Sequence, residues 1–325
     1  MKEVELKMLE RAKQLLESGE VARVIGWKKG DFCFDPSPAS FESVEELSEF
    51  VYDYFCGANL SKYLIQMSKK EGKTAVFLKP CDTYSFNQLV KEHRINRENV
   101  YVIAVECLAK LDIEKIKASG VSLVTGVEVV EKEVKVSSLE GETTLCKPEV
   151  VLTKCATCNK THQVKDEEII VHERPNREVN RFEEVEKLEA MTEDERFAFW
   201  REQLSKCIRC NACRNVCPAC SCVKCVFDNP ASSISAKAND DKFEEQLFHI
   251  IRAFHVAGRC TDCGECSRVC PQNIPLHLLN RKFIKDIDGL YGEYQAGETA
   301  DGKTPLTSYT ESDIEPNDVF NGEAK

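Results

Sequence analysis

Residues 207–218 read CIRCNACRNVCP and residues 260–271 read CTDCGECSRVCP. Each run is C-x2-C-x2-C-x3-C-P, the spacing that holds a pair of 4Fe-4S clusters. Three thiolates at this spacing wrap one face of a cubane while the amides of the loop point at its sulfurs. The fourth cysteine, carried on by the proline turn, reaches the other cluster. One cluster is therefore expected on Cys207, Cys210, Cys213 and Cys270, and the other on Cys260, Cys263, Cys266 and Cys217. Structural zinc sites use cysteine pairs and leave the third cysteine of such a loop without a role. Arg201, Lys206, Arg209, Arg214 and Lys224 surround the first motif, and Arg252, Arg259 and Arg268 the second. Basic side chains there offset the charge of an anionic cluster and raise its potential.

The chain has 18 cysteines in 325 residues. A secreted disulfide framework is the alternative use of so many, but it belongs to short chains behind a signal peptide. The opening MKEVELKMLERAKQLLE alternates charged and apolar residues at helical spacing and has no unbroken apolar stretch. No run of about 18 apolar residues occurs anywhere, so no membrane-spanning helix is expected. A net charge of −11 speaks against nucleic acid as the main partner. These features point to a cytoplasmic metalloprotein.

Four more cysteines stand where strands are expected to end. Lys79-Pro80-Cys81-Asp82 follows a strand at 74–78, Cys107 follows one at 100–106, and Cys155-Ala156-Thr157-Cys158 follows one at 149–153. Ligands gather at the C-terminal edge of a parallel sheet, so Cys81, Cys107, Cys155 and Cys158 are candidates for a third cubane. The alternative is a set of small buried apolar residues. Cys33, Cys56 and Cys146 read as buried small residues, and Cys220, Cys222 and Cys225 as packing around the first cluster, the alternatives being a substitute ligand or a share in an additional metal site.

The first ~150 residues alternate helix-like and strand-like segments, as an α/β domain with a mostly parallel sheet does. Helices are expected at 3–17, 44–55, 60–70, 83–93 and 113–119, and strands at 21–27, 32–34, 74–78, 100–106, 121–136 and 149–153. Residues 166–190 read as an acidic connector without strands. Thr192-Glu193-Asp194-Glu195 is a capping box for a helix leading into the first motif. The two motifs are separated by residues 218–259, which include a helix at 241–257 with Phe243, Leu247, Ile250, Ile251 and Phe254 on one face. A link that long and helical points to a mainly α-helical dicluster ferredoxin domain. Another helix is expected at 275–288, then a C-terminal tail that stays extended unless a partner or the protein's own surface holds it. The expected division is 1–165, α/β domain with a cluster site; 166–205, connector and helix; 206–290, dicluster domain; and 291–325, extended tail.

The series Pro80-Cys81, Cys107 and Cys155-x2-Cys158 resembles the beta-subunit family of deazaflavin-coenzyme-dependent hydrogenases and formate dehydrogenases, over about residues 70–160. With the dicluster appended, the chain looks like the iron–sulfur subunits of flavin oxidoreductase–heterodisulfide reductase complexes. The segments CRNVCPACSCVKC and AFHVAGRCTDCGECSRVCPQNIPL add to the likeness. The resemblance implies a third cluster on Cys81, Cys107, Cys155 and Cys158. It also implies a relay of single electrons inside an anaerobic complex, beside a flavoprotein, a hydrogenase, a formate dehydrogenase or a heterodisulfide-reductase-like module. Catalytic members bind FAD, but their Gly- and Thr-rich flavin segment is missing here and no G-x-G occurs. The expectation is thus an electron-transfer subunit. The alternative is an FAD-bearing subunit that exchanges hydride with a deazaflavin.

Overall fold

The computed structural model describes residues 1–159, 163–170, 179–229 and 242–307. Helix α1 (Lys2–Glu17) buries Val4, Met8, Ala12 and Leu15, one side chain per turn, and stops where Gly19 takes φ +69°. Strand β1 (Arg23–Lys28) pairs antiparallel with the edge strand β2 (Ser37–Phe41). On its other side it pairs parallel with β3 (Thr74–Leu78), a TAVFL run buried at every position, as a central strand covered on both faces must be. Helix α2 (Leu64–Met67) precedes β3, and α3 (Pro80–Lys91) follows it. Strand β4 (Val100–Val105) lies parallel to β3. After α4 (Ile113–Ala118), an antiparallel meander of β5 (Val124–Val130), β6 (Glu133–Ser138) and β7 (Gly141–Cys146) forms a separate small sheet. Two single-turn helices, α5 (Lys147–Val150) and α6 (Thr153–Ala156), lead to β8 (Glu168–Ile170), which joins the main sheet parallel to β4. The main sheet runs β2-β1-β3-β4-β8 and is parallel except for β2.

Helices make up the rest: α7 (Glu183–Glu189), α8 (Glu193–Leu204), α9 (Ala212–Val216), α10 (Lys242–Val256), α11 (Glu265–Arg268) and α12 (Leu276–Tyr291). The capping box is formed. Thr192 Oγ1 accepts from the Glu195 amide at 3.3 Å, and the Glu195 carboxylate accepts from the Thr192 amide at 2.9 Å.

Several expected elements differ. No strand forms at 32–34; the Phe32 amide donates to Asp35 in a turn, the two phenyl rings of Phe32 and Phe34 stack, and the strand comes at Ser37–Phe41. The helix expected over 44–55 shrinks to a 3-10 turn at Glu45–Glu49, because the Val51 amide donates to the Trp27 carbonyl and Phe50 bridges Lys28. The 60–70 helix is reduced to a 3-10 turn at Ser61–Tyr63 and to α2. Pro148 opens α5, so 149–153 is no strand, only a single bridge between Leu111 and Val151. Strand β8 lies inside the span read as connector.

Helix α10 is rotated from the face that its apolar residues suggest. Phe243, Ile250 and Phe254 are exposed, while Glu245, Phe248, His249, Arg252, Ala253 and Val256 are buried. Those six follow i, i+3, i+4, i+7, i+8, i+11, so one coherent stripe faces inward, and half of it is polar.

The described part of the tail lies on the protein's own surface. Ala296 and Thr304 are buried, and Asn87 Nδ2 donates to the Glu298 carbonyl at 3.4 Å. Gly297 has φ +78°, and a methyl group there would overlap the Tyr84 carbonyl oxygen in α3. Replacing Gly297 by Ala is therefore expected to cost ~1–3 kcal/mol and to release the strap. Hydrogen exchange across 292–307 should accelerate; unchanged protection would show that the strap is not held by this contact.

Candidate metal centres

The two motif loops share one backbone design. Arg209 and Asn211 have φ +53° and +61°, and their counterparts Asp262 and Gly264 have +56° and +67°. Left-handed residues placed between right-handed ones turn successive amides to one side, forming a concavity for an anion. The Arg209 amide points at Cys207 Sγ at 3.4 Å. Helices α9 and α11 start directly after these turns and pack on each other.

That packing interleaves the motifs. Cys207, Cys210, Cys213 and Cys270 line one cavity with Phe248 and His249. Cys217 packs with Cys260, and burial first, then charges that include that of Cys217, raise the Cys260, Cys263 and Cys266 thiols. A hydrogen bond from Cys220, then the Arg252 charge, hold the Cys217 thiol below the ordinary thiol range despite its burial. Burial raises the Cys260 thiol well above the ordinary range, so assembly of a metal centre there must displace a proton.

The other four cysteines also converge. Cys81 sits in the first turn of α3, and Cys107 two residues beyond β4, on adjacent parallel strands. Cys155 and Cys158 come to them by a different route from the one expected. The Leu152 amide donates to the Lys110 carbonyl and the Asp112 amide to the Val150 carbonyl, both at 2.8 Å, clipping this segment to the loop after β4. The Lys110 amide then points at Cys155 Sγ at 3.4 Å. Burial first, then the charge of Cys107, push the Cys155 thiol up to about 11. Cys158 faces Cys81 as well as Cys155.

The donor sets fit cubanes better than single ions. Two thiolates on one zinc are at most about 4.6 Å apart, twice a Zn–S bond. Among the described residues, no cysteine trio brings its sulfurs within 4.8 Å of one another. Buried cations fit an anionic cluster too. Arg252 is buried, its Nη2 donates to the Cys213 carbonyl at 3.1 Å, and the negative groups raising its pKa against burial are Cys217, Cys266, Cys213 and Cys220. Beside the third set, Lys79 Nζ donates to the Ala58 carbonyl and to Asp82, and Lys110 Nζ to the Asp53 carbonyl at 2.6 Å.

The second motif and the third set are joined by Glu265, which is fully buried. Its carboxylate accepts from Lys154 Nζ, from Arg268 Nε at 2.7 Å and Nη2 at 2.8 Å, and from the Asn59 amide at 3.1 Å. Burial alone would raise its pKa; Arg268 and Lys154 outweigh burial and hold it far below the carboxylate range. Gly264 lies so close to Lys154 that a side chain would overlap the lysine Cβ. Arg281 of α12 adds a second link, with Nε on Asp262 at 2.8 Å and Nη2 on Thr157 at 2.9 Å.

Of the basic residues read from sequence, Arg209 and Arg252 are buried, whereas Arg259 pairs with Glu92 and Arg214 with Asp228. Lys62 and Lys110 lie in no motif, and the spacing of the motifs gives no sign of the contacts that Lys79, Lys154 and His249 make. Cys56 is buried as expected. Cys33 and Cys146 are exposed, contrary to the reading, because one falls in the turn before β2 and the other ends the polar edge strand β7. Cys220, Cys222 and Cys225 line one cavity beside Arg252 and Phe248.

A model of the 4Fe-4S dicluster domain matches residues 203–274. The chain is 24% identical over 337 aligned positions to the F420-dependent formate dehydrogenase subunit beta of Methanocaldococcus jannaschii, covering 86% of this chain and 88% of that one. It is 26% identical to the F420-dependent formate dehydrogenase 1 subunit beta of Methanococcus maripaludis, over 66% of this chain and 72% of that one. These likenesses support the resemblance to the beta subunits of deazaflavin-linked formate dehydrogenases, and the family model places a dicluster domain at residues 203–274. A protein of Sinorhizobium fredii named as a ferredoxin matches over 24% of this chain and 75% of its own length, at 36% identity. Among the described residues, no helix is long and apolar enough to cross a membrane.

Replacing Glu265 by Gln leaves Lys154 and Arg268 buried without their counter-charge and is expected to cost roughly 3–5 kcal/mol. The Glu265 pKa is depressed on folding, so its stabilisation is complete above the ordinary carboxylate pKa of about 4.3 and fades only as pH falls below it. Denaturation of the wild type and the variant should thus differ by a constant amount from pH 6 to 9. A difference that grows or vanishes within that window would refute the ion-pair account.

Proposed function

We propose that this chain relays single electrons through three 4Fe-4S clusters within a cytoplasmic, anaerobic oxidoreductase complex. In this reading Cys207, Cys210, Cys213 and Cys270 hold the first cluster. Cys260, Cys263, Cys266 and Cys217 hold the second, and Cys81, Cys107, Cys155 and Cys158 the third. The clusters supply one-electron transfer; the protein's own groups fix their order and their charge balance.

The observation that carries the reading is the Glu265 junction, which welds the loop of Cys263 to the loop of Cys155. The third site then leads into the second, and the interleaved motifs lead into the first. Cys210 and Ile208 of the first motif are exposed, the latter at 62%, so the first cluster is the end facing a partner. The third site belongs to the α/β part, at residues 1–165 in the proposed division, with the dicluster domain over 206–290. The relatives are named as subunits of formate dehydrogenases. By extension, the partners are a formate dehydrogenase, hydrogenase or heterodisulfide-reductase-type module and a flavoprotein.

One observation favours a second reading, an FAD-bearing subunit. A cavity of about 780 Å³ lies between α4, the Leu152–Lys154 segment and the second motif, and Lys115, Lys154, Arg268 and His277 line it. That volume is in the range of cofactor pockets.

Anaerobically purified chain should contain about twelve irons and as many sulfides, with no releasable flavin. A double replacement of Cys155 and Cys158 by Ser should lower this to about eight and leave the dicluster signals intact. About eight irons in the wild type would contradict the third cluster, and one FAD per chain would favour the second reading.

A further inference from the structure

Helix α10 turns a histidine toward the first site. His249 is 1% exposed, and its Nε2 lies 3.2 Å from Cys207 Sγ. Its Nδ1 is buried with no hydrogen-bond partner among the described residues. A neutral imidazole has one N–H. With no acceptor at Nδ1 and a thiolate at Nε2, the proton belongs on Nε2.

Cys207, Glu245 and His249 also bring one ligand atom each within 4.8 Å of one another. A separate single-ion site is disfavoured by two facts. Cys207 opens the first cubane motif, and the Arg209 guanidinium lies 3.5 Å from Glu245, putting a cation where the metal would go.

We infer that His249 is a positioning residue for electron transfer, donating an Nε2–H hydrogen bond to the Cys207 thiolate and raising the potential of the first cluster. The inference rests on the assignment of that cluster to Cys207, Cys210, Cys213 and Cys270. A reduced cluster carries more negative charge on its sulfurs than an oxidised one, so a donor aimed at one of them stabilises the reduced form more. Cys207 belongs to the first cysteine set, so the effect falls on that cluster.

The test is an EPR-monitored redox titration of the full chain carrying its clusters. His249→Phe should lower the potential of one cluster about tenfold in its one-electron equilibrium, ~59 mV, and leave the others in place. His249→Gln keeps a donor at this position and should recover part of the shift. Iron and sulfide content should not change in either variant. An unmoved potential in His249→Phe with full iron content overturns the inference. So does loss of about four irons in both variants, which would make His249 a ligand. Should the variants fail to fold, wild-type protein labelled with 15N-histidine still decides. Pulsed EPR should find a weak nitrogen coupling to one reduced cluster; no coupling, or the strong coupling of an iron-bound nitrogen, overturns it.

Discussion

A buried carboxylate holds this molecule together where it matters. Glu265 sits inside a cysteine motif, between the second and third cysteines of a C-x2-C-x2-C run, yet two of its partners come from elsewhere in the chain. Lys154 belongs to the turn that carries Cys155, Arg268 to the same short helix, and Asn59 to the α/β part. A fully buried charge is costly unless it is matched and hydrogen-bonded on all sides. Here two cations and a backbone amide match it, so the loops can dock in only one register. Gly264 makes the register tighter still, since any side chain there would collide with Lys154.

Charge balance governs the rest of the site region. The chain is acidic overall, yet the groups turned toward the cysteines are Arg252, Lys79, Lys110 and Lys154, with loop amides aimed at sulfur. This explains why α10 buries a half-polar stripe and leaves Phe243, Ile250 and Phe254 outside. A helix against an ordinary apolar core would do the reverse. Packing around anionic centres rewards Arg252 and His249 above phenylalanine at the same positions, and leaves an apolar strip on the outer face.

Much of this was legible in the residues. The two motifs, the strands TAVFL and VYVIAV, the opening helix and the Thr192 cap all follow from spacing and periodicity. The third cysteine set is expected to meet at three strand ends, and the route that two of its members take is different. Cys81 and Cys107 follow parallel strands, whereas Cys155 follows two helical turns opened by Pro148 and clipped to residues 110–112 by backbone hydrogen bonds. Long-range pairing of that kind has no local signature. The face of α10 was misread because hydrophobic periodicity assumes an apolar interior. The Glu265 junction was invisible for a related reason: beyond Arg268 on its own helix, its partners lie 111 and 206 residues away in sequence.

The central claim is that the third site lies directly beside the second. EPR of the fully reduced protein tests it most directly. The account predicts that the reduced clusters are magnetically coupled as a chain, and that replacing Cys155 and Cys158 by Ser removes the coupling between the third and second clusters while the first and second still interact. A spectrum of the double variant that equals the wild type would contradict it.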